Sequence, residues 1–276
     1  MHVRKEHSQT LEAENLIRPI YRMFIELTNG KGTSALLRRF ARSKKSRIMI
    51  RPFLNAYNIN VEEMDKSIDE YPTLHDFFIR QLKGGLRPAD ASPAAASSPV
   101  DAVIEDIGII QDDHMITVKG KVYSIEEMLG NQDALGKYRN GHYMIFYLSP
   151  SHYHRIHSPV TGTVEGQWTL GGKSYPVNKH GLKYGKAPLS KNFRTVTEVA
   201  HAFGHLAIVK VGAMFVNTIE ATHEGEQLEK GKEMAYFSFG STVVLLFEAG
   251  TFKPADNLQL PAHIKVGEAI GEFVQQ

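Results

Sequence analysis

Cysteine is absent from this 276-residue chain, which excludes disulfide frameworks, thiolate nucleophiles and Cys-ligated zinc together. Long apolar runs are missing too: nothing approaches the roughly 20 residues that a spanning helix requires, so the chain is not expected to cross a bilayer. The opening MHVRKEHSQTLEAEN is polar throughout and lacks the apolar centre of a secretory signal, so export by that route is not expected. Hydrophobic residues at 42% and charged residues at 22% are close to globular averages, which excludes a disordered or fibrous chain. The length suggests one sizeable domain with an appendage, or two modest domains.

A formal charge of +2 conceals an asymmetry: residues 1–60 carry twelve Lys or Arg against four Glu. The segment RRFARSKKSRIMIR, Arg38 to Arg51, has seven basic residues and no acid, a pattern that suits either an anionic surface or a solvated charge run. Leu16, Ile20, Phe24 and Leu27 recur at helical spacing, and Leu36, Leu37 and Phe40 continue a similar stripe. Such amphipathic helices can lie in a bilayer interface, although packing against the main domain explains the stripe equally well. A further helix is expected from Leu74 to Leu82, capped by Thr73 and ended by Gly84 and Gly85. ASPAAASSP, Ala91 to Pro99, reads as a loop or linker, and the domain boundary is placed there, dividing 1–90 from 91–276.

Beyond that boundary the period is mainly two. Apolar runs at Val103–Ile110, Met144–Leu148, Leu206–Val211 and Thr242–Phe247 predict strands separated by Gly-containing turns. IKVGEAIGEF, Ile264 to Phe273, looks like the strand, tight turn, strand unit of lipoyl or biotinyl-type barrels, as a likeness of fold only. The fold class is therefore α+β, with N-terminal amphipathic helices ahead of a mostly β catalytic domain.

Three histidines crowd into SPSHYHRIHSPVTG as His152, His154 and His157. In an extended segment His152 and His154 share a face and His157 lies on the other. Structural histidines, a metal site and acid–base work all remain open for them. Gly240-Ser241 stands between an aromatic-rich stretch and a strongly apolar strand, which reads plainly as a turn into that strand. The functional reading is that Ser241 attacks its own preceding carbonyl, which Gly240 leaves open because it has no Cβ. Elimination of the ester and loss of ammonia would then leave a pyruvoyl group. A serine hydroxyl needs a base and a group to orient that base. Asp101, just past the linker, becomes interesting only in combination with His157 and Ser241.

FFIRQLKGGLRP, SPVDA, YHRIHSP and FGST, in this order and with VKVGAM and KGKEMAYF between the last two, resemble the motifs of the phosphatidylserine decarboxylase family along most of the chain. The resemblance implies autocatalytic cleavage at Gly240-Ser241 driven by Asp101, His157 and Ser241, with His154 assisting decarboxylation and no metal. It implies a pyruvoyl cofactor made from Ser241, which condenses with phosphatidylserine and releases carbon dioxide to give phosphatidylethanolamine. The implied partners are an anionic membrane surface and the two cleaved chains, 1–240 and 241–276, as a heterodimer or a dimer of these. No nucleic acid is expected, and the implied location is the cytoplasmic side of the cell membrane, peripherally bound. The chain departs from the family pattern at Ala102, at 214–219 and at Ala235. The rival readings are a His-ligated metal hydrolase and a non-enzymatic barrel module docked on membranes.

Overall fold

An apolar run without polar alternation can lie in a sheet only where both faces are covered. In the computed structural model the strand Ser241–Phe247 is buried at every position and lies between strands Gly204–Gly212 and His142–Leu148. The structure describes residues 31–118, 120–173, 175–177, 182, 185–213, 219–238 and 241–275. The stripe at Leu16, Ile20, Phe24 and Leu27 lies outside them, as does Gly240.

In chain order the strands are β1 (Ala95–Ser97), β2 (Ala102–Ile109), β3 (Met115–Val118), β4 (Lys121–Ser124), β5 (His142–Leu148) and β6 (Arg155–His157). There follow β7 (Gly162–Leu170), β8 (Arg194–His201), β9 (Gly204–Gly212), β10 (Ile219–Ala221), β11 (Gln227–Leu228) and β12 (Glu233–Phe237). The last are β13 (Ser241–Phe247), β14 (Phe252–Pro254), β15 (Ala262–Ile264) and β16 (Ala269–Phe273). An eight-stranded sheet has the order β11-β7-β8-β9-β13-β5-β2-β15. Two three-stranded sheets, β1-β16-β14 and β10-β12-β6, and the hairpin β3-β4 accompany it.

Alternation along β13 splits its side chains between two cores. Val243, Leu245 and Phe247 join Phe146, Ile208, Ile156 and Phe237, so that β6 and β12 cover one face. Val244 and Leu246 join Val209, Ile116, Tyr123 and Met128 on the other face, under β3, β4 and the helix Ile125–Leu129. Each fully buried side chain of this size contributes roughly 1.5–3 kcal/mol. A third core of Ile50, Ile59, Met64, Tyr71 and Phe77 gathers the helix Ile50–Tyr57 and the segment that follows it, and the helix Lys31–Ala41 precedes them.

The molecule is thus mixed α and β and rich in strands, as expected, but four expectations are corrected. No closed barrel is present among the described residues, because β11 and β15, the two edges of the large sheet, do not pair with each other. Ile264 to Phe273 is not a paired unit: β15 joins β2, while β16 joins β1 and β14. The supposed linker contains β1, where Ala96 stands opposite Gly271; small residues suit this strand because the space beyond Gly271 is taken by the Phe252 ring. The helix expected from Leu74 to Leu82 stops at Phe78, although Thr73 caps it as expected, its Oγ1 accepting from Asp76 N–H at 3.0 Å.

Gly141, entering β5, sits so close to the end of β13 that a Cβ would meet the Phe247 carbonyl oxygen at 1.9 Å. Gly141→Ala should therefore cost about 3 kcal/mol. The check is urea unfolding in an uncleaved Ser241→Ala background, where an unchanged midpoint would contradict the close approach.

Candidate active site

Ser241 begins β13 opposite Gly212 of β9 and Leu148 of β5. In phase with Val243, it faces the layer between the large sheet and β6–β12. It is fully buried, and its Oγ has no hydrogen-bond partner among the described residues. A desolvated hydroxyl left unpaired costs about 1–3 kcal/mol, which marks this atom as one kept for another purpose.

The chain leaves β5 at Leu148 beside Ser241 and passes through the histidine loop before entering β6. His154, in phase with Ile156 of the same core, is fully buried. Its Nδ1 donates to the His152 carbonyl at 2.9 Å, which leaves the lone pair on Nε2, and Nε2 has no partner among the described residues. A proton acceptor without a donor and a hydroxyl without an acceptor therefore occupy the same layer. Burial, reinforced by the nearby Arg80 charge, pushes the His154 pKa well below its ordinary 6.5.

The FFIR segment clamps this loop. Phe78 packs its ring 4.0 Å from that of His154, and Arg80 Nη2 donates to the carbonyls of Ser151 and His152 at 2.8 and 3.1 Å. Arg155 completes the clamp, its Nη1 held by both Glu233 oxygens at 2.7 and 2.9 Å and its Nε donating to the Ile79 carbonyl.

His157 points the other way. Its Nδ1 donates to the Gly231 carbonyl at 2.8 Å, and its Nε2 meets the Tyr153 hydroxyl at 3.2 Å. Burial lowers its pKa, partly offset by the Gly231 carbonyl and by the charges of Glu233 and Asp101, so the ring is neutral at neutral pH with its basic nitrogen at Nε2. The His157 backbone is tied to the approach to Asp101, its N–H donating to the Pro99 carbonyl at 2.8 Å.

Asp101 lies one residue before β2, at the same rim of the sheet as Ser241 and two strand spacings, about 10 Å, from β13. Among the described residues its carboxylate makes no hydrogen bond to His157. Arg87 takes it bidentately, with Nε 2.9 Å from Oδ1 and Nη2 2.7 Å from Oδ2, while Val266 N–H donates to Oδ1 at 2.8 Å. Arg87 also reaches Glu63 at 2.6 Å.

The structure thus gathers Asp101, His154, His157 and Ser241 at one rim, with Gly240 outside the described residues. It does not join carboxylate and imidazole directly. His152 is engaged separately, its Nδ1 accepting from Ser149 N–H at 3.0 Å, and no group of three His, Asp or Glu among the described residues could hold a metal. Sequence reasoning missed Arg87 and Tyr153 as individuals. Their signals were available: a buried Asp needs a cation, and Tyr153 interrupts the histidine run. Ala102 and Ala235, two of the three departures from the motif pattern, are both buried.

A family model described as phosphatidylserine decarboxylase matches residues 74–272. The chain is 59% identical over 256 residues to the phosphatidylserine decarboxylase proenzyme of Geobacillus kaustophilus (strain HTA426), covering 93% of this chain and 97% of that one. It is 56% identical over 261 residues to the proenzyme of that name from Anoxybacillus flavithermus (strain DSM 21510 / WK1), covering 95% and 98%. A third such proenzyme, from Bacillus mycoides (strain KBAB4), is 53% identical over 257 residues, covering 93% and 98%. The matched span runs from the helix that clamps the histidine loop through β16 and includes every residue gathered at the rim, and on this agreement the chain belongs to the phosphatidylserine decarboxylase family.

Proposed function

We propose that this chain is the precursor of a pyruvoyl-dependent phosphatidylserine decarboxylase, cut by itself between Gly240 and Ser241 and converting phosphatidylserine to phosphatidylethanolamine and carbon dioxide. The observation that carries the reading is the buried, unpartnered Ser241 hydroxyl at the start of β13, in one layer with the free Nε2 of His154. These surroundings fit a group made in place, because no other described residue competes for the hydroxyl.

In maturation, Ser241 Oγ bonds to the carbonyl carbon of residue 240 as its proton passes to His157, whose Nε2 turns from the Tyr153 hydroxyl to receive it, and the C–N bond breaks as the nitrogen of 241 is protonated. Loss of the Cα proton of 241 expels the chain end at 240 as a carboxylate. Water then replaces the nitrogen, which leaves as ammonia. Asp101 acts at a distance, its charge favouring the imidazolium, while Arg87 and Val266 N–H fix it in place. When formed, the pyruvoyl carbonyl supplies the electron-withdrawing centre for decarboxylation. His154, its ring packed by Phe78 and its loop held by Arg80, supplies Nε2 for hydrogen bonding and proton return at residue 241. The chains 1–240 and 241–276 stay together because β13, from the shorter one, remains central between β5 and β9.

Residues 1–90 hold the enzyme at an anionic membrane face, peripherally and on the cytoplasmic side, while 91–276 carry the chemistry. This division is supported by Leu36 and Ile48, 69% and 77% exposed, beside Arg38, Arg39, Lys44 and Lys45. No helix among the described residues is long and apolar enough to cross a membrane.

Fresh wild-type protein should separate on denaturing gels into a large chain and a blocked one of 276 − 240 = 36 residues, and Ser241→Ala should run as one band without activity. An uncut wild-type chain that gives no reaction with hydroxylamine would end the proposal. Because the His157 pKa is lowered, cleavage should persist on acidification to pH 6.5 and fail only below it; an acid limb centred at or above 6.5 would remove His157 from the role of base. Sedimentation with phosphatidylglycerol vesicles should weaken as salt rises, and replacing Arg38, Arg39, Lys44 and Lys45 with Gln should reduce it at low salt, whereas salt-independent binding would count against the membrane role.

A further inference from the structure

VKVGAM, one of the segments quoted for the family likeness, places a lysine where the proposed chemistry has not used one. Lys210 lies in β9 between Val209 and Val211, is 2% exposed, and stands opposite Val243 of β13. Because Gly212 stands opposite Ser241, Lys210 is its diagonal neighbour across the strands, about 7–8 Å away between backbones. Ser241 and Val243 share the face of Ile208 and therefore of Lys210, so the amine is on the side to which the Ser241 hydroxyl points.

The amine has one partner among the described residues, the hydroxyl of Thr197 on β8 at 2.6 Å. That hydroxyl donates to the exposed Gln167 Oε1 at 3.3 Å, which His223 Nε2 meets at 3.4 Å, so a chain of polar groups links the buried amine to the surface. No acid faces it. The neighbouring strands turn Thr195, Thr197, Ser241 and Val243 towards it, whereas Glu198 is turned to Tyr138 and Lys137, and Arg194 to the carbonyls of Glu127 and Met128. From the covering layer, Glu233 is taken by Arg155, and His154 and His157 are held as described. Burial is the sole cause of its pKa being lowered to about 7, with no charge interaction from any of these groups. A lysine kept without a counter-ion in an apolar layer costs stability, and such a group beside a reacting atom is one whose charge has a use.

We propose that Lys210 supplies positive charge to the self-cleavage, its ammonium stabilising the oxyanion that forms when Ser241 Oγ adds to the carbonyl of residue 240. This rests on the self-cleavage reading given above. As the Oγ–C bond forms, the carbonyl π electrons move onto oxygen and the hydroxyl proton passes to His157. As the oxyanion collapses, the C–N bond breaks and the nitrogen of 241 takes that proton. Lys210 acts across space and neither gains nor loses a proton in the step.

The test is cell-free synthesis of the full chain followed by a pH jump, with appearance of the 36-residue fragment (276 − 240) timed by mass spectrometry. Wild type should slow as pH rises through about 7, where the ammonium is lost. Lys210→Arg, whose charge does not titrate, should lose that alkaline limb. Lys210→Met should be about tenfold slower at pH 6.5 and also lack the limb. The inference is overturned if Lys210→Met cuts at the wild-type rate, or if Lys210→Arg keeps the limb; the latter decides alone should the Met variant not fold. A wild-type chain that never cuts sinks the self-cleavage reading too, whereas one that cuts without any dependence on Lys210 sinks this inference only.

Discussion

The register of β13 between β5 and β9 is the constraint on which the rest of the molecule depends. Seven consecutive buried residues hold this strand in the middle of an eight-stranded sheet, and the first of them is Ser241. A slip of one residue would exchange its two faces and carry the hydroxyl from the layer containing His154 to the opposite core. Apolar packing of Val243, Leu245 and Phe247 therefore positions a polar atom that contributes nothing to that packing. The energy comes from burial, and the polar group is carried along at a cost.

The histidine loop is positioned by a different means. Its residues make few strand hydrogen bonds, and it is held from outside by Phe78, Arg80 and Arg155, which reach it from a helix end and a neighbouring strand. Buried charge does double duty here, since Arg80 both fixes loop carbonyls and disfavours protonation of His154. Arg87 fixes the Asp101 carboxylate by a bidentate contact at the junction of the N-terminal segment with the sheet. The segment before residue 90 is thus built into the support of the site, and its exposed basic and apolar residues lie on a part that is itself anchored.

Much of this was legible in the chain. The runs at Val103, Met144, Leu206 and Thr242 predicted β2, β5, β9 and β13 because burial on one or both faces leaves its mark on side-chain type directly. Thr73 as a cap was readable because capping is a contact between residues three apart. β1 was not readable: Ala and Ser have little strand preference, and the segment is a strand only because β16 is there to pair with it. The same holds for β15 and β16, whose tight turn suggested a hairpin although their hydrogen bonds go to different sheets.

At the site, residue types alone left the three histidines open between structural, metal and acid–base roles, and it was the likeness of the motifs to the phosphatidylserine decarboxylase family that singled out Asp101, His154, His157 and Ser241 as candidates. Tertiary structure decided the rest: which nitrogen of His154 and of His157 is tied to a backbone carbonyl, that Asp101 answers to Arg87, and that Lys210 lies buried beside Ser241. Those facts concern distances between residues up to 74 positions apart along the chain, and only the pairing of strands brings such positions within a few ångströms of each other.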